Sequence, residues 1–273
     1  FALKIAAAYL NAKPDAVMLF YDSEFGSPQS YFDNFGIDTS RVLHVPITDA
    51  EQLKFDLVGQ LEGMDKEDDV IVVVDSIGNL ASKKELDDAM NENSAADMSR
   101  AKAFKGLFRM VTPYLAMKNI PLIAINHTYK EIGLFPKDVV GGGTGIYYSA
   151  NTIWIIGRRQ NKTGTEVTGY DFVIKVEKSR YVKEQSKIPI SVSWEGGINE
   201  MSGLLDVAMA SGHVVKPSNG WYQKVNEDKK YRLADLDKNF WSSILEDKVF
   251  QEFVKKAFTV GAETVDLGIE LEE

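Results

Sequence analysis

Residues 70–76 read VIVVVDS, an unbroken apolar and mostly β-branched run that stops on an aspartate and a serine. A strand of that composition has no polar face. Both faces must be covered, as they are inside a parallel sheet with helices on either side. Working outward, VMLFYD at 17–22, VLHVP at 42–46 and PLIAINH at 121–127 repeat the pattern. Between them SPQSYFDNF, DAEQLKFDLVGQLEG and DMSRAKAFKGLFRMVTPYLAMKN read as helices. The alternation predicts an α/β fold with a twisted, mostly parallel sheet flanked by helices. In the last helix Phe104, Phe108, Val111 and Leu115 share one face, and Lys102, Lys105 and Arg109 share another. That helix packs on one side and presents positive charge on the other.

After residue 150 the segments NTIWIIGRRQ, GYDFVIKVEKSR and KIPISVSWEGG are joined by stretches too short for crossover helices, so antiparallel strands at one edge of the core are expected. From MSGLLDVAMASG onward the chain reads as a small C-terminal α/β appendage. It comprises a helix, a turn around KPSNGWYQK, a second helix near FWSSILEDKVFQEFVKKAF, and an acidic end with Glu270, Glu272 and Glu273. The expected division is a core over 1–200 and the appendage over 201–273.

Composition narrows the function classes. A 273-residue chain that is 44% hydrophobic can bury a substantial core. It contains no apolar run of the ~18 to 20 residues that a membrane span needs. The opening FALKIAAAYLNAK lacks a charged leader region and a cleavage site, which argues against secretion. The lack of cysteine excludes disulfides, thiolate zinc sites and a cysteine nucleophile, and His44, His127 and His213 are too scattered to suggest a metal cluster. A net charge of −9 argues against coating nucleic acid with the whole surface but leaves room for a local basic groove. The opening residues already have helical character with no capping residue ahead of them, the pattern of a chain whose natural start lies upstream.

In open α/β sheets, ligands sit beyond the carboxyl ends of the strands. Three strands end in polar residues: Asp22 and Glu24, Asp75 and Ser76, Asn126 and His127. An aspartate at a rigid strand end suits a hard cation such as Mg2+, and Glu24 on a neighbouring strand is placed to orient or deprotonate a water attacking a γ-phosphate. Each residue also has a plainer reading. Asp75 can be a cap or turn former, Glu24 a solvated loop carboxylate, and His127 a satisfied strand-end histidine. Three such strand ends together favour a site. The glycine stretch GGGTGI at 141–146 is no dinucleotide fingerprint, because its sixth position is Ile146 and it follows a loop. It also lacks the G-K-[ST] ending of a phosphate cradle, and no G-x-S-x-G nucleophile elbow occurs.

Taken in order, YDSEFG, VVVDSIGNLASKKE, DMSRAKAFKGLFR, NIPLIAINHTY, GGGTG, VEKSR, SGLLDVAMASG and NGWY resemble the RecA-like recombinases, most closely the UvsX-type recombinases of tailed phages. The resemblance covers essentially the whole chain. It implies a RecA-like ATPase core that uses ATP and Mg2+, assembles into a helical filament on single-stranded DNA, and drives strand exchange with a homologous duplex. A recombination mediator and a single-strand-binding protein are the implied partners, and the cytoplasm of a phage-infected bacterium the implied location. Residue by residue, it makes Glu24 the catalytic carboxylate, with Asp75 and Ser76 positioning magnesium and water, and Tyr31 stacking on adenine. It makes His127 a γ-phosphate sensor at the start of the second DNA-binding loop; a histidine donates to phosphate as an amide does. Lys178 and Arg180 match the basic pair that reaches a neighbouring protomer's ATP; read alone, they are an exposed basic strand end.

The first DNA-binding loop resembles residues 83–97, leading into Lys102 and Arg109. The second resembles residues 128–148, where the amides of Gly142, Gly143 and Thr144 can approach phosphates and Lys130 and Lys137 add charge. A flexible connector is the plainer reading of the glycines. The departure from the family is that residues 1–273 do not contain its G-x-x-K-S phosphate loop, which should lead into a helix resembling FALKIAAAYL. The full-length protein is therefore expected to be the active ATPase, with residues 1–273 alone binding ATP weakly or not at all. Two other readings stay open: a non-catalytic RecA-like accessory module that engages DNA or a recombinase, and a ring helicase of the same superfamily. The acidic end could restrain DNA access or simply be solvated.

Overall fold

The computed structural model describes residues 1–91, 98–132, 138–163 and 165–260. The backbone divides into two compact units, Phe1–Ala150 and Asn151–Glu273.

In the first unit β1 (Val17–Asp22), β2 (Val42–Pro46), β3 (Val70–Asp75) and β4 (Leu122–Ala124) form a parallel sheet in the order β2-β1-β3-β4. Its helices are α1 (Ala2–Ala12), α2 (Gln29–Asp33), α3 (Ala50–Gly63), α4 (Lys83–Met90), α5 (Ser99–Lys118) and α6 (Thr144–Ser149). Alternation within the apolar runs sorts side chains to two cores. Leu19, Tyr21, Val70, Val72 and Val74 pack with α3 and α5. Met18, Phe20, Ile71 and Val73 pack with α1 and α2. Leu53, Leu57 and Leu61 recur every fourth residue of α3, each at most 1% exposed, and burying each contributes about 1.5–3 kcal/mol. The basic face of α5 is as expected, with Lys102, Lys105 and Arg109 exposed opposite buried Phe104, Phe108 and Val111. Asn119 ends α5 with a left-handed φ of 55°, a conformation that asparagine tolerates, and so turns the chain toward β4.

Two segments read as loops contain regular structure. Within 83–97, α4 opens with a reciprocal cap: Ser82 Oγ accepts from the Glu85 amide, and the Glu85 carboxylate accepts from the Ser82 amide. Within 128–148, β5 (Thr128–Lys130) and β6 (Asp138–Val140) pair antiparallel, and α6 follows. Lys137 and residues 92–97 lie outside the described residues.

In the second unit β7 (Thr152–Thr163), β8 (Glu166–Ser179), β9 (Lys187–Ser193) and β10 (Gly197–Ile198) form their own antiparallel sheet. Then come α7 (Leu204–Ala210), a small sheet of β11 (Val214–Ser218), β12 (Trp221–Lys224) and β13 (Lys230–Tyr231), and α8 (Lys238–Leu245) and α9 (Lys248–Phe258). Val207, Phe240, Trp241, Ile244 and Phe250 form their core. The single helix expected near 240–258 is in fact two. The Asp247 carboxylate accepts from the Val249 amide at 2.7 Å, capping a new helix where the old one ends. Glu270, Glu272 and Glu273 lie outside the described residues. Among the described residues, no helix is long and apolar enough to cross a membrane.

Candidate functional site at the strand ends

The parallel register sets Asp22 opposite both Pro46 and Asp75, so the carboxyl ends of β1, β2 and β3 are level. Asp22 is 2% exposed. Its carboxylate accepts from the amides of Glu24 (2.9 Å) and Phe25 (2.8 Å) and from His44 Nε2 (3.0 Å). These bonds hold a sharp turn in which Phe25 takes a left-handed φ of 56°, a backbone cost of about 1–3 kcal/mol that the buried carboxylate offsets. The turn presents Glu24 at the surface.

The loop after β3 is tied to this turn. The Ser23 amide donates to Asp75 O at 2.8 Å, Ser23 Oγ donates to Ser76 O at 2.7 Å, and the Ser76 amide donates to Ser23 Oγ at 2.9 Å. The Asp75–Ser76 peptide is cis. From the other side Arg100 of α5 donates through Nη2 to the carbonyls of Ile77, at 3.2 Å, and Gly78.

On that frame the polar side chains of three strand ends meet. Glu24 Oε1 accepts from Ser76 Oγ at 2.8 Å and from Asn79 Nδ2 at 2.6 Å. Asn79 Oδ1 lies 3.2 Å from His127 Nε2. The imidazole lies over Gly78, where a Cβ would collide with the ring, so the ring can take this position only over a glycine. His127 is exposed, and its backbone carbonyl accepts from the Gly141 amide at 3.0 Å. Asn126 Nδ2 reaches Gly141 O at 2.8 Å, closing the base of the segment between them.

Asp75 stands beside this chain. Burial pushes its carboxyl pKa up, and the carboxylates of Glu24 and Asp22 push it further in the same direction, against a smaller opposing effect of His127. A carboxylate under that strain favours a nearby cation. Among the described residues no group of three or more His, Cys, Asp or Glu could hold a metal by itself. One carboxylate and a neighbouring hydroxyl, completed by phosphate oxygens and water, nevertheless fit Mg2+.

The remaining expected residues are dispersed. Tyr31, on α2, is 41% exposed and meets Phe32 and Phe35 edge-on; a hollow lined by Asp22, Phe25, Pro28, His44 and Pro46 does not include it. Lys178 and Arg180 belong to the second unit, at the end of β8, where Lys178 is opposite Ile153 and the Arg180 amide donates to Asn151 O at 3.2 Å. Lys130 is paired across its hairpin with Asp138 at 3.1 Å. Gly142 and Gly143 have φ of 84° and 83°; a Cβ on Gly142 would meet Ile146, and one on Gly143 would sit 3.1 Å from Ala101 Cβ. Gly145 lies against Lys105, which a Cβ would approach to 2.8 Å. The flexible-connector reading of these glycines is therefore corrected, because 141–145 is a tightly packed turn onto α5. Asn79 and Arg100 lie inside the stretches VVVDSIGNLASKKE and DMSRAKAFKGLFR, yet nothing local to either marks it out, and only the fold shows what each touches.

The fold and the strand-end cluster define an α/β protein of RecA type. A family model described as the RecA N-terminal domain matches residues 1–199, and the chain belongs to the RecA family, a family of recombinases. Residues 201–254 match the model described as the C-terminal domain of the bacteriophage T4 recombination and repair protein. The chain is 49% identical to the recombination and repair protein of Enterobacteria phage T4, over 96% of this chain and 70% of that protein. It is 26% identical to Protein RecA of Mycoplasma mycoides subsp. mycoides SC, over 79% of this chain and 61% of that protein. It is 25% identical to Protein RecA of Bdellovibrio bacteriovorus, over 84% of this chain and 59% of that protein. The chain thus spans about three fifths of these RecA proteins.

Proposed function

We propose that the protein is an ATP-dependent homologous recombinase of UvsX type, which forms filaments on single-stranded DNA and promotes strand exchange with a homologous duplex during recombination and repair. The observation that carries this reading is the convergence of Glu24, Ser76, Asn79 and His127, with Asp75 beside them, at the ends of three parallel strands. Glu24 takes the proton of the water that attacks the γ-phosphate. Asp75 and Ser76 are the residues that would hold Mg2+, which supplies neutralisation of phosphate charge when bound. His127 donates to the γ-phosphate, and Tyr31 stacks on adenine. Lys178 and Arg180 act on the ATP of a neighbouring protomer.

DNA is taken up by Lys102, Arg109 and Lys130 and by the amides of Gly142, Gly143 and Thr144, contacts that follow the backbone rather than the bases. The Lys130–Asp138 pair must open for that lysine to contribute. Residues 1–200 act as the ATPase core and 201–273 as an appendage. A mediator and a single-strand-binding protein assist in the cytoplasm of the infected cell. The test is Glu24→Gln in the full-length protein. Single-stranded-DNA-dependent ATP turnover should fall by about 10²-fold or more while filament assembly with ATP persists; retained turnover would sink the assignment of Glu24.

A further inference from the structure

Asn79 carries more than its place in the fold requires. Its side chain is exposed, and its loop is already held by Arg100 and by the Ser23–Ser76 bonds. Yet the amide spans the two groups given the central chemical roles, with Nδ2 on Glu24 Oε1 and Oδ1 facing His127 Nε2. Its orientation follows from chemistry. An ionised carboxylate only accepts, so the nitrogen must face Glu24, the oxygen must face the imidazole, and His127 must carry its proton on Nε2. The three side chains form one directed chain of hydrogen bonds, in which each bond polarises the next.

Two consequences follow. Ser76 Oγ and Asn79 Nδ2 both donate to the same oxygen of Glu24; that oxygen is occupied and the carboxylate is held in one orientation. The His127 Nε2 proton can serve Asn79 or another acceptor in a different direction, but not both. A phosphate oxygen is charged and is the stronger acceptor. His127 is also anchored by its own carbonyl to Gly141, at the far end of the segment that begins with β5, so a displacement of that segment reaches the imidazole through its backbone.

We infer that Asn79 is a positioning residue that couples the state of the β5–β6 pair, rooted at His127 and Gly141, to the freedom of Glu24. With the chain closed, the amide restrains the carboxylate and DNA-independent hydrolysis is slow. When His127 turns away, the amide loses one of its two anchors and its hold on Glu24 loosens, leaving Ser76 Oγ as the remaining donor to that oxygen. The inference rests on the reading of Glu24 as the base. Its test compares Asn79→Ala and Asn79→Asp in the full-length protein, with ATP turnover measured with and without single-stranded DNA and KM and kcat separated.

Asn79→Ala should raise the DNA-independent kcat about tenfold, the worth of one charge-assisted hydrogen bond, and leave the DNA-saturated kcat within about twofold, so the stimulation ratio collapses. Asn79→Asp keeps the shape and the acceptor for His127 but removes the donor to Glu24, and it should lose the ratio as well. An unchanged ratio, or two rates that fall in parallel, would overturn the coupling role. Glu24→Gln in the same assay separates the two ideas. If its turnover persists, the assignment of Glu24 fails and the inference with it; if its turnover is lost while Asn79→Ala keeps the ratio, only the coupling falls.

Discussion

Among the described residues, two places bring a serine, a histidine and a carboxylate together, and they differ in what those groups are already doing. In the second unit Ser211 Oγ lies 2.9 Å from His213 Nδ1, and His213 Nε2 lies 3.7 Å from Asp247. Each member has a structural task. Ser211 Oγ donates to the carbonyl of Ala208, the His213 amide closes the end of α7 on the same carbonyl, and Asp247 caps α9. The imidazole packs on Phe250, with ring centres 5.3 Å apart. At the strand ends of the first unit, Asp22 does the structural work through two amides and His44. Glu24 caps no helix, and Asp75 is held at a cost that comes first from burial and then from the carboxylates of Glu24 and Asp22. A constellation of residue types does not make a site. A half-buried carboxylate held close to two others, beside one exposed at the end of a neighbouring strand, marks one.

Asp75→Asn should separate the two regions most sharply. Magnesium-dependent turnover is expected to fall by about 10²-fold or more, yet the protein without nucleotide should become more stable, by no more than about 1 kcal/mol once solvent screening of a half-buried group is allowed for. The sign follows from the raised pKa. The unfolded chain ionises Asp75 first, so this group costs stability as pH rises from the ordinary value of 3.8 through the raised one, and the cost persists above it. Thermal melts of variant and parent should differ at neutral pH and converge below about pH 4.

A smaller effect distinguishes the packed turn from a flexible arm. Gly142→Ala should destabilise the first unit by about 1–3 kcal/mol, because φ is 84° and the new methyl meets buried Ile146. In a flexible connector the same change would be neutral or slightly stabilising, and denaturant unfolding reads the sign. The smallest expected effect is that of Asp247→Ala. Loss of the cap should cost about 1 kcal/mol in a melt and leave ATP turnover unchanged. A turnover loss matching that of Asp75→Asn would erase the distinction drawn between the regions.

Much of the fold was legible in the sequence. The four parallel strands fall where the apolar runs lie, most sharply for the central β1 and β3, because a strand buried on both faces has no polar position to blur its limits. The two faces of α5 follow from its periodicity. Short elements were harder to read. The six-residue α6 and the three-residue strands β5 and β6 are too brief to show a period, and α4 sits in a segment read as a loop by resemblance. The break at Asp247 was hidden because apolar residues continue in helical spacing on both sides of it.

The candidate site was half legible. Sequence alone determined that Asp22, Glu24, Asp75, Ser76, Asn126 and His127 lie at or just beyond strand ends, because chain-local apolar patterns terminate there. Only the tertiary structure decided which of them touch. The bonds that join Ser76 to Glu24, Asn79 to Glu24 and His127 to Asn79 span 52, 55 and 48 residues of chain. They exist because the order β2-β1-β3-β4 sets the strand ends level and side by side. Strand order and register come from packing the whole sheet against its helices, which no local pattern encodes. The same reason assigned Gly78 to the His127 ring and the glycines at 142, 143 and 145 to α6 and α5. A residue with no side chain reveals its purpose only through the neighbour that fills its space.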